Sequence, residues 1–165
     1  MKYIDRELER KFLSMNGVFK AVMIVGARQV GKSTMLRRLA EKEGRQWVTM
    51  DDQQTRDLAK SDPKLFFQTF KPPILIDEAQ KAPEIFGTIK IMCDNTEERG
   101  LFWLTGSQSK KLMRQAGDSL AGRICVLKMY SLSQRELLGI KPDEELDFSF
   151  TSLRERSMLF PKNNI

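Results

Sequence analysis

Gly26-Ala27-Arg28-Gln29-Val30-Gly31-Lys32-Ser33-Thr34 fits the pattern Gly-x4-Gly-Lys-[Ser/Thr], a loop whose backbone amides cradle phosphate groups. At ordinary residue usage roughly one chain in 200 of this length carries the pattern by accident. The flanks agree with it. Ala21-Val22-Met23-Ile24-Val25 is a continuous apolar run of the buried-strand type, and Met35, Leu36, Leu39 and Ala40 lay one apolar face along a helix that Gly44 can end. Glycines let the backbone curl so that several N–H groups meet one anion, and the helix N-terminus adds its partial positive charge. Lys32 would reach the β- and γ-phosphates of a nucleotide and the Ser33 hydroxyl would ligate Mg2+, while Ala27, Arg28, Gln29, Val30 and Thr34 complete the cradle.

Working outward, composition narrows the chemistry. The 165 residues suffice for one core-bearing domain. Hydrophobic content of 41% and charged content of 30% are those of an ordinary globular chain, and no apolar run approaches the ~20 residues that cross a bilayer. The start, Met1-Lys2-Tyr3-Ile4-Asp5, runs into charge rather than a greasy segment, so a cytoplasmic location is expected. Histidine is absent, which removes imidazole acid–base chemistry and the commonest zinc ligands. Cys93 and Cys125 stand far apart and read as small core residues rather than a disulfide framework. The net charge of +6 comes from 28 basic and 22 acidic residues that are largely interleaved, the pattern of a solvated surface. Nucleic-acid contact is permitted by that charge but not indicated, since no aromatic-plus-basic cluster stands out.

Before the loop, Ile4, Leu8, Phe12 and Leu13 predict an amphipathic helix from Asp5 to about Met15. After it, residues 46–50 read as a second strand ending at Asp51-Asp52, followed by helical pieces at 53–60 and 62–70, the latter opened by Asp62-Pro63. Pro72-Pro73 forces an extended entry into Ile74-Leu75-Ile76-Asp77-Glu78. Pro83-Glu84 opens a helix with Ile85, Phe86, Ile89, Met92 and Cys93 on one face, and Leu101 to Thr105 is a fourth strand. A short helix with Leu112 and Met113, a last strand Ile124 to Leu127, and a helix from Ser131 to Leu138 follow. Strands alternating with helices predict an α/β fold with a five-stranded parallel sheet covered on both faces. Ligands in such sheets sit beyond the C-terminal strand ends, along a rim holding Gly26, Asp51, Asp77, Glu78, Thr105 and Ser107.

Asp77 closes an aliphatic strand on that rim, where a carboxylate can hold Mg2+ through its water shell. Glu78 can orient and polarise an attacking water; capping of the following turn is the bland alternative for this pair. Ser107 and Gln108 could sense the γ-phosphate or form a plain turn. Arg123 could neutralise transition-state charge in its own site or in a neighbouring copy's, making the chain a homo-oligomer, or be a solvated arginine. Lys110, Lys111 and Arg114 form a cationic patch of the solvated kind.

These motifs resemble the AAA+ class of ATPases, and most closely prokaryotic AAA-type ATPases that carry an uncharacterised C-terminal domain. The likeness rests on the phosphate loop, on Ile74 to Pro83, on Leu104-Thr105-Gly106-Ser107-Gln108, and on Ser119-Leu120-Ala121-Gly122-Arg123, and it covers residues 1–139. It implies a three-layer α/β/α P-loop NTPase sandwich of strand order 5-1-4-3-2 and hydrolysis of ATP with Mg2+, coupled to an effector. Residues 140–165 depart from it: a polar tail stands where such proteins have a helical lid and a long further domain, as in a truncated product. Two other functions remain open: a switch or assembly module that binds nucleotide without hydrolysing it, and a small-molecule kinase, for which no acceptor pocket is evident.

Overall fold

In the computed structural model, which describes residues 3–107 and 120–140, the apolar runs pair as one parallel sheet. The strands are β1 (Ala21–Gly26), β2 (Gln46–Thr49), β3 (Ile74–Asp77), β4 (Phe102–Ser107) and β5 (Ile124–Met129), ordered β2-β3-β4-β1-β5. Read from the other edge this is the expected order 5-1-4-3-2. The register sets Gly26 beside Ser107 and Met129, Ile24 beside Thr105, and Thr49 beside Asp77. The C-terminal ends of these strands therefore share one rim.

The helices are α1 (Leu8–Asn16), α2 (Lys32–Lys42), α3 (Gln53–Ser61), α4 (Pro63–Thr69), α5 (Ile85–Asp94) and α6 (Gln134–Leu138). Alternation along β1 sorts the core into two layers. Val22 and Ile24, with Leu75, Trp103 and Leu127, pack against Phe12 of α1 and against Met35, Leu36, Leu39 and Ala40 of α2. Met23 and Val25, with Ile76 and Leu104, pack against Phe66 of α4 and Ile85, Phe86 and Ile89 of α5. The result is helix, sheet, helix, as expected for strands buried on both faces.

Local chemistry explains the element ends. Gly44 adopts φ +64° just past α2, and the Arg45 amide returns to the Ala40 carbonyl at 2.8 Å, a glycine C-cap. Asp62 caps α4 by accepting from the Leu65 amide at 2.9 Å, with Pro63 in the first turn. Two expectations are corrected. Leu13 is 41% exposed, because Leu8, Phe12 and Met15 form the inner face of α1; and Cys125 is half-buried where Cys93 is fully buried. Burial is also what raises both thiols above the ordinary thiol range. Gln108, Lys110, Lys111, Leu112, Met113, Arg114 and the tail from Lys141 lie outside the described residues.

The chain divides into two units, Leu8–Ser131 and the terminal segments up to Glu7 and from Leu132. In the terminal unit Glu136 completes a capping box with Ser133 and also accepts from Arg6 Nε at 2.9 Å and the Glu7 amide at 3.0 Å. Burial pushes its carboxyl up, but the Ser133 amide, the Arg6 guanidinium and the Glu7 amide together hold it below the ordinary carboxylate range. A depressed folded value means that the stabilisation is complete above the unfolded value, about pH 4.3, and is lost as pH falls through the folded one. Amide protection factors at Glu7 and Ser133 are therefore expected to hold from neutral pH down to that range and to collapse below it. In Glu136→Ala they should be low at every pH.

Candidate nucleotide site

β1 ends at Gly26 and α2 begins at Lys32, so the loop between them is the root of the site. Gly31 takes φ +95° as the residue before the helix, where an L side chain would be strained. No side chain caps α2, which leaves its first-turn amides to water or an anion. Gly26 is required for another reason, because a Cβ there would lie 2.3 Å from the Met129 carbonyl oxygen of β5. Gly26→Ala is expected to lower unfolding free energy by about 1–3 kcal/mol in urea titration, since backbone rather than a side-chain tip must give way.

Lys32 is only 5% exposed, and its ammonium donates to the carbonyls of Ala27 at 2.7 Å and Gly26 at 3.2 Å. Among the described residues no carboxylate pairs with it. A buried cation satisfied only by neutral carbonyls is suited to receive an anion.

Beside it, Asp77 is 3% exposed and accepts on Oδ1 from Ser33 Oγ at 2.6 Å and Thr105 Oγ1 at 2.5 Å. Its Oδ2 accepts from Arg37 Nη2 at 3.0 Å. Thr105 also accepts from the Glu78 amide at 2.9 Å, so one hydroxyl bridges β4 to both acidic positions. Glu78 is held at φ +56°, a left-handed conformation uncommon outside glycine, and its carboxylate accepts from the Gln80 amide nitrogen. Lys81 pairs with Asp51 across the rim. Arg28, Gln29, Gly31, Lys32, Ser33, Thr34, Asp51, Glu78, Gln80 and Lys81 line an open cleft of about 440 Å3.

The fold thus assembles Gly26 to Thr34, Asp77 and Glu78 in one place. Ser107 lies beside Gly26 in register, next to the loop but outside the cleft lining. Arg123 is not brought to this cleft: it precedes β5, and its carbonyl accepts from the Ala21 amide at the N-terminal end of β1. Five strand steps make that roughly 16 Å from the loop. There its guanidinium grips both carboxylate oxygens of Asp94, which holds the Asp94 carboxyl below its ordinary range. Arg37 and the bridging role of Thr105 were not foreseen. The spacing of Ser33 and Arg37, four apart on α2, was the available signal.

Hard oxygen donors from Ser33 and Asp77 suit magnesium. Among the described residues no group of three or more carboxylate or thiol side chains could hold a metal ion, and a magnesium ion at Ser33 and Asp77 would draw its remaining oxygens from water and from a phosphate. That is the donor set expected of a metal that arrives with a nucleotide.

Comparison with known proteins agrees with this geometry. Residues 18–138 match the AAA domain family. Uncharacterized protein Rv2008c of Mycobacterium tuberculosis and uncharacterized protein Mb2031c of Mycobacterium bovis are each 33% identical over 117 residues, or 70% of this chain. The match covers 26% of each relative, so the chain spans about a quarter of their length. Among solved structures, a RuvB mutant of Thermotoga maritima aligns with TM-score 0.55 at 16% identity, over 83% of this chain and 49% of its own. RIF2 of Saccharomyces cerevisiae aligns with TM-score 0.51 at 14% identity, over 93% and 67%. At such identities these two speak for the fold alone. Phosphate loop, sheet order and family match converge: the chain belongs to the AAA domain family, a nucleotide-binding domain of the P-loop ATPase type.

Proposed function

We propose that the domain binds ATP together with magnesium and hydrolyses it, passing its nucleotide state to an effector. The observation that carries the reading is the nearly buried Lys32 ammonium, held by carbonyls inside a loop of amides and beside the Ser33–Asp77 pair. Lys32 and the amides of residues 27–34 would grip the β- and γ-phosphates. Ser33 and Asp77 are the residues that would hold magnesium, whose charge offsets that of the phosphates. Glu78, fixed by its backbone amide to Thr105, would orient the attacking water and take its proton. Ser107, neighbour to Gly26, is a candidate reporter of the γ-phosphate. The ATPase domain would span residues 1–139, with 140–165 opening a further region.

A second reading has one observation in its favour. Because Arg123 lies at the far end of β1, a lone chain lacks its charge at the γ-phosphate and could act as a switch that binds ATP and hydrolyses it slowly. Arg123 would then serve only the site of an adjoining copy, after releasing Asp94. No helix among the described residues is long and apolar enough to cross a membrane.

Titration calorimetry with ATP at graded magnesium, paired with phosphate-release assays, tests both readings. Magnesium-dependent binding with turnover well above that of Glu78→Gln supports hydrolysis; binding with equal turnover selects the switch. No magnesium-dependent affinity for adenine or guanine triphosphates in folded material overturns both.

A further inference from the structure

Arg37 occupies a position that the nucleotide chemistry above leaves unused. It projects from α2 one turn after Ser33, and its Nη2 donates to Asp77 Oδ2 at 3.0 Å, the carboxylate oxygen that neither Ser33 nor Thr105 touches. Its guanidinium carbon stands 4.0 Å from the ring centroid of Trp47 on β2, and its Nε is buried without an acceptor. The side chain is 37% exposed while that of Asp77 is 4% exposed, so the cation has a way to solvent and the anion does not.

We propose that Arg37 is the counter-ion of the magnesium site, competing with the metal for Asp77 and so setting how much magnesium the domain requires before it holds ATP. The proposal rests on Asp77 being the carboxylate that faces the metal. A nearly buried carboxylate needs a positive partner, and the structure supplies one in Arg37. A divalent ion at Ser33 and Asp77 supplies the same charge from the other side, and two cations a few ångströms apart repel. Trp47 gives the guanidinium a platform on which it can stay stacked while its hydrogen bond to Asp77 lengthens. The Nε of Arg37 is buried without an acceptor, as is that of Arg45, but the Nη atoms of Arg45 reach the Gly100 and Leu101 carbonyls and Glu43, whereas the hydrogen bond of Arg37 described above goes to Asp77.

The test is the magnesium dependence of binding of a fluorescent ATP analogue, with melting temperature measured alongside. In Arg37→Met the magnesium midpoint is expected to fall about tenfold, a typical coupling between competing ligands, while Arg37→Lys stays near the wild type. The protein without nucleotide should melt lower in Arg37→Met, and magnesium with ATP should recover more of that loss than in the wild type. If the methionine variant does not fold, Arg37→Gln, neutral yet able to donate to Asp77, should show the same midpoint shift. A packing role against Trp47 alone would lower stability with the midpoint unmoved, and that result, or a midpoint moved to higher magnesium, overturns the proposal. A wild-type protein whose ATP binding ignores magnesium overturns the assignment of Asp77 as well, which distinguishes the two failures.

Discussion

Lys32→Met is expected to remove the rise in melting temperature that ATP gives, while leaving the nucleotide-free protein as stable as the wild type or more so. The two halves of this result have one cause. Lys32 is 5% exposed and the partners of its ammonium are the neutral carbonyls of Gly26 and Ala27, so folding strips a charge of water without supplying an opposite one. Replacing it with an apolar chain of similar length relieves that desolvation, as when other buried charges are exchanged for hydrophobic groups. The phosphates lose a charge-assisted hydrogen bond of about 1.5–3 kcal/mol, or roughly 10- to 100-fold in affinity. Calorimetry and thermal shift read the two halves separately. A nucleotide-free variant that melts several degrees lower would show that Lys32 builds the loop rather than serving a ligand.

Glu78→Gln should slow phosphate release by about 100- to 10,000-fold, the range for removal of a general base, with ATP affinity changed by less than about threefold. The amide is close to isosteric, and the backbone hydrogen bond from Glu78 to Thr105 does not depend on the side chain. The site therefore keeps its shape and loses a proton acceptor. Single-turnover measurements separate this from slow product release, and a variant that hydrolyses ATP at the wild-type rate removes Glu78 from the chemistry.

The phosphate loop was legible because all its parts lie within nine consecutive residues, flanked by a strand and a helix with the right periodicity. Asp77 and Glu78 were legible because a parallel sheet presents its C-terminal strand ends on one rim. The same rule, applied to Arg123, would have kept it out of its own chain's cleft, since a residue preceding a parallel strand lies at the opposite end. Arg37 was missed for a different reason. Its meaning depends on β2 delivering Trp47 and β3 delivering Asp77 to one face of α2, and no local pattern records that convergence. Gly26 was legible as glycine, but its cause was not: the constraint is the neighbouring β5 carbonyl, known only once the strand order is fixed.

The hydroxyl of Thr105 has a mechanical consequence. Because it donates to Asp77 and accepts from the Glu78 amide, a displacement of β4 along its axis would drag both residues, the proposed metal ligand and the proposed base, in step. In the proposed hydrolysis, load reaching the sheet through α5, the helix before β4, would act on both carboxylates together, and the same hydroxyl would serve as a transmission for the fuel.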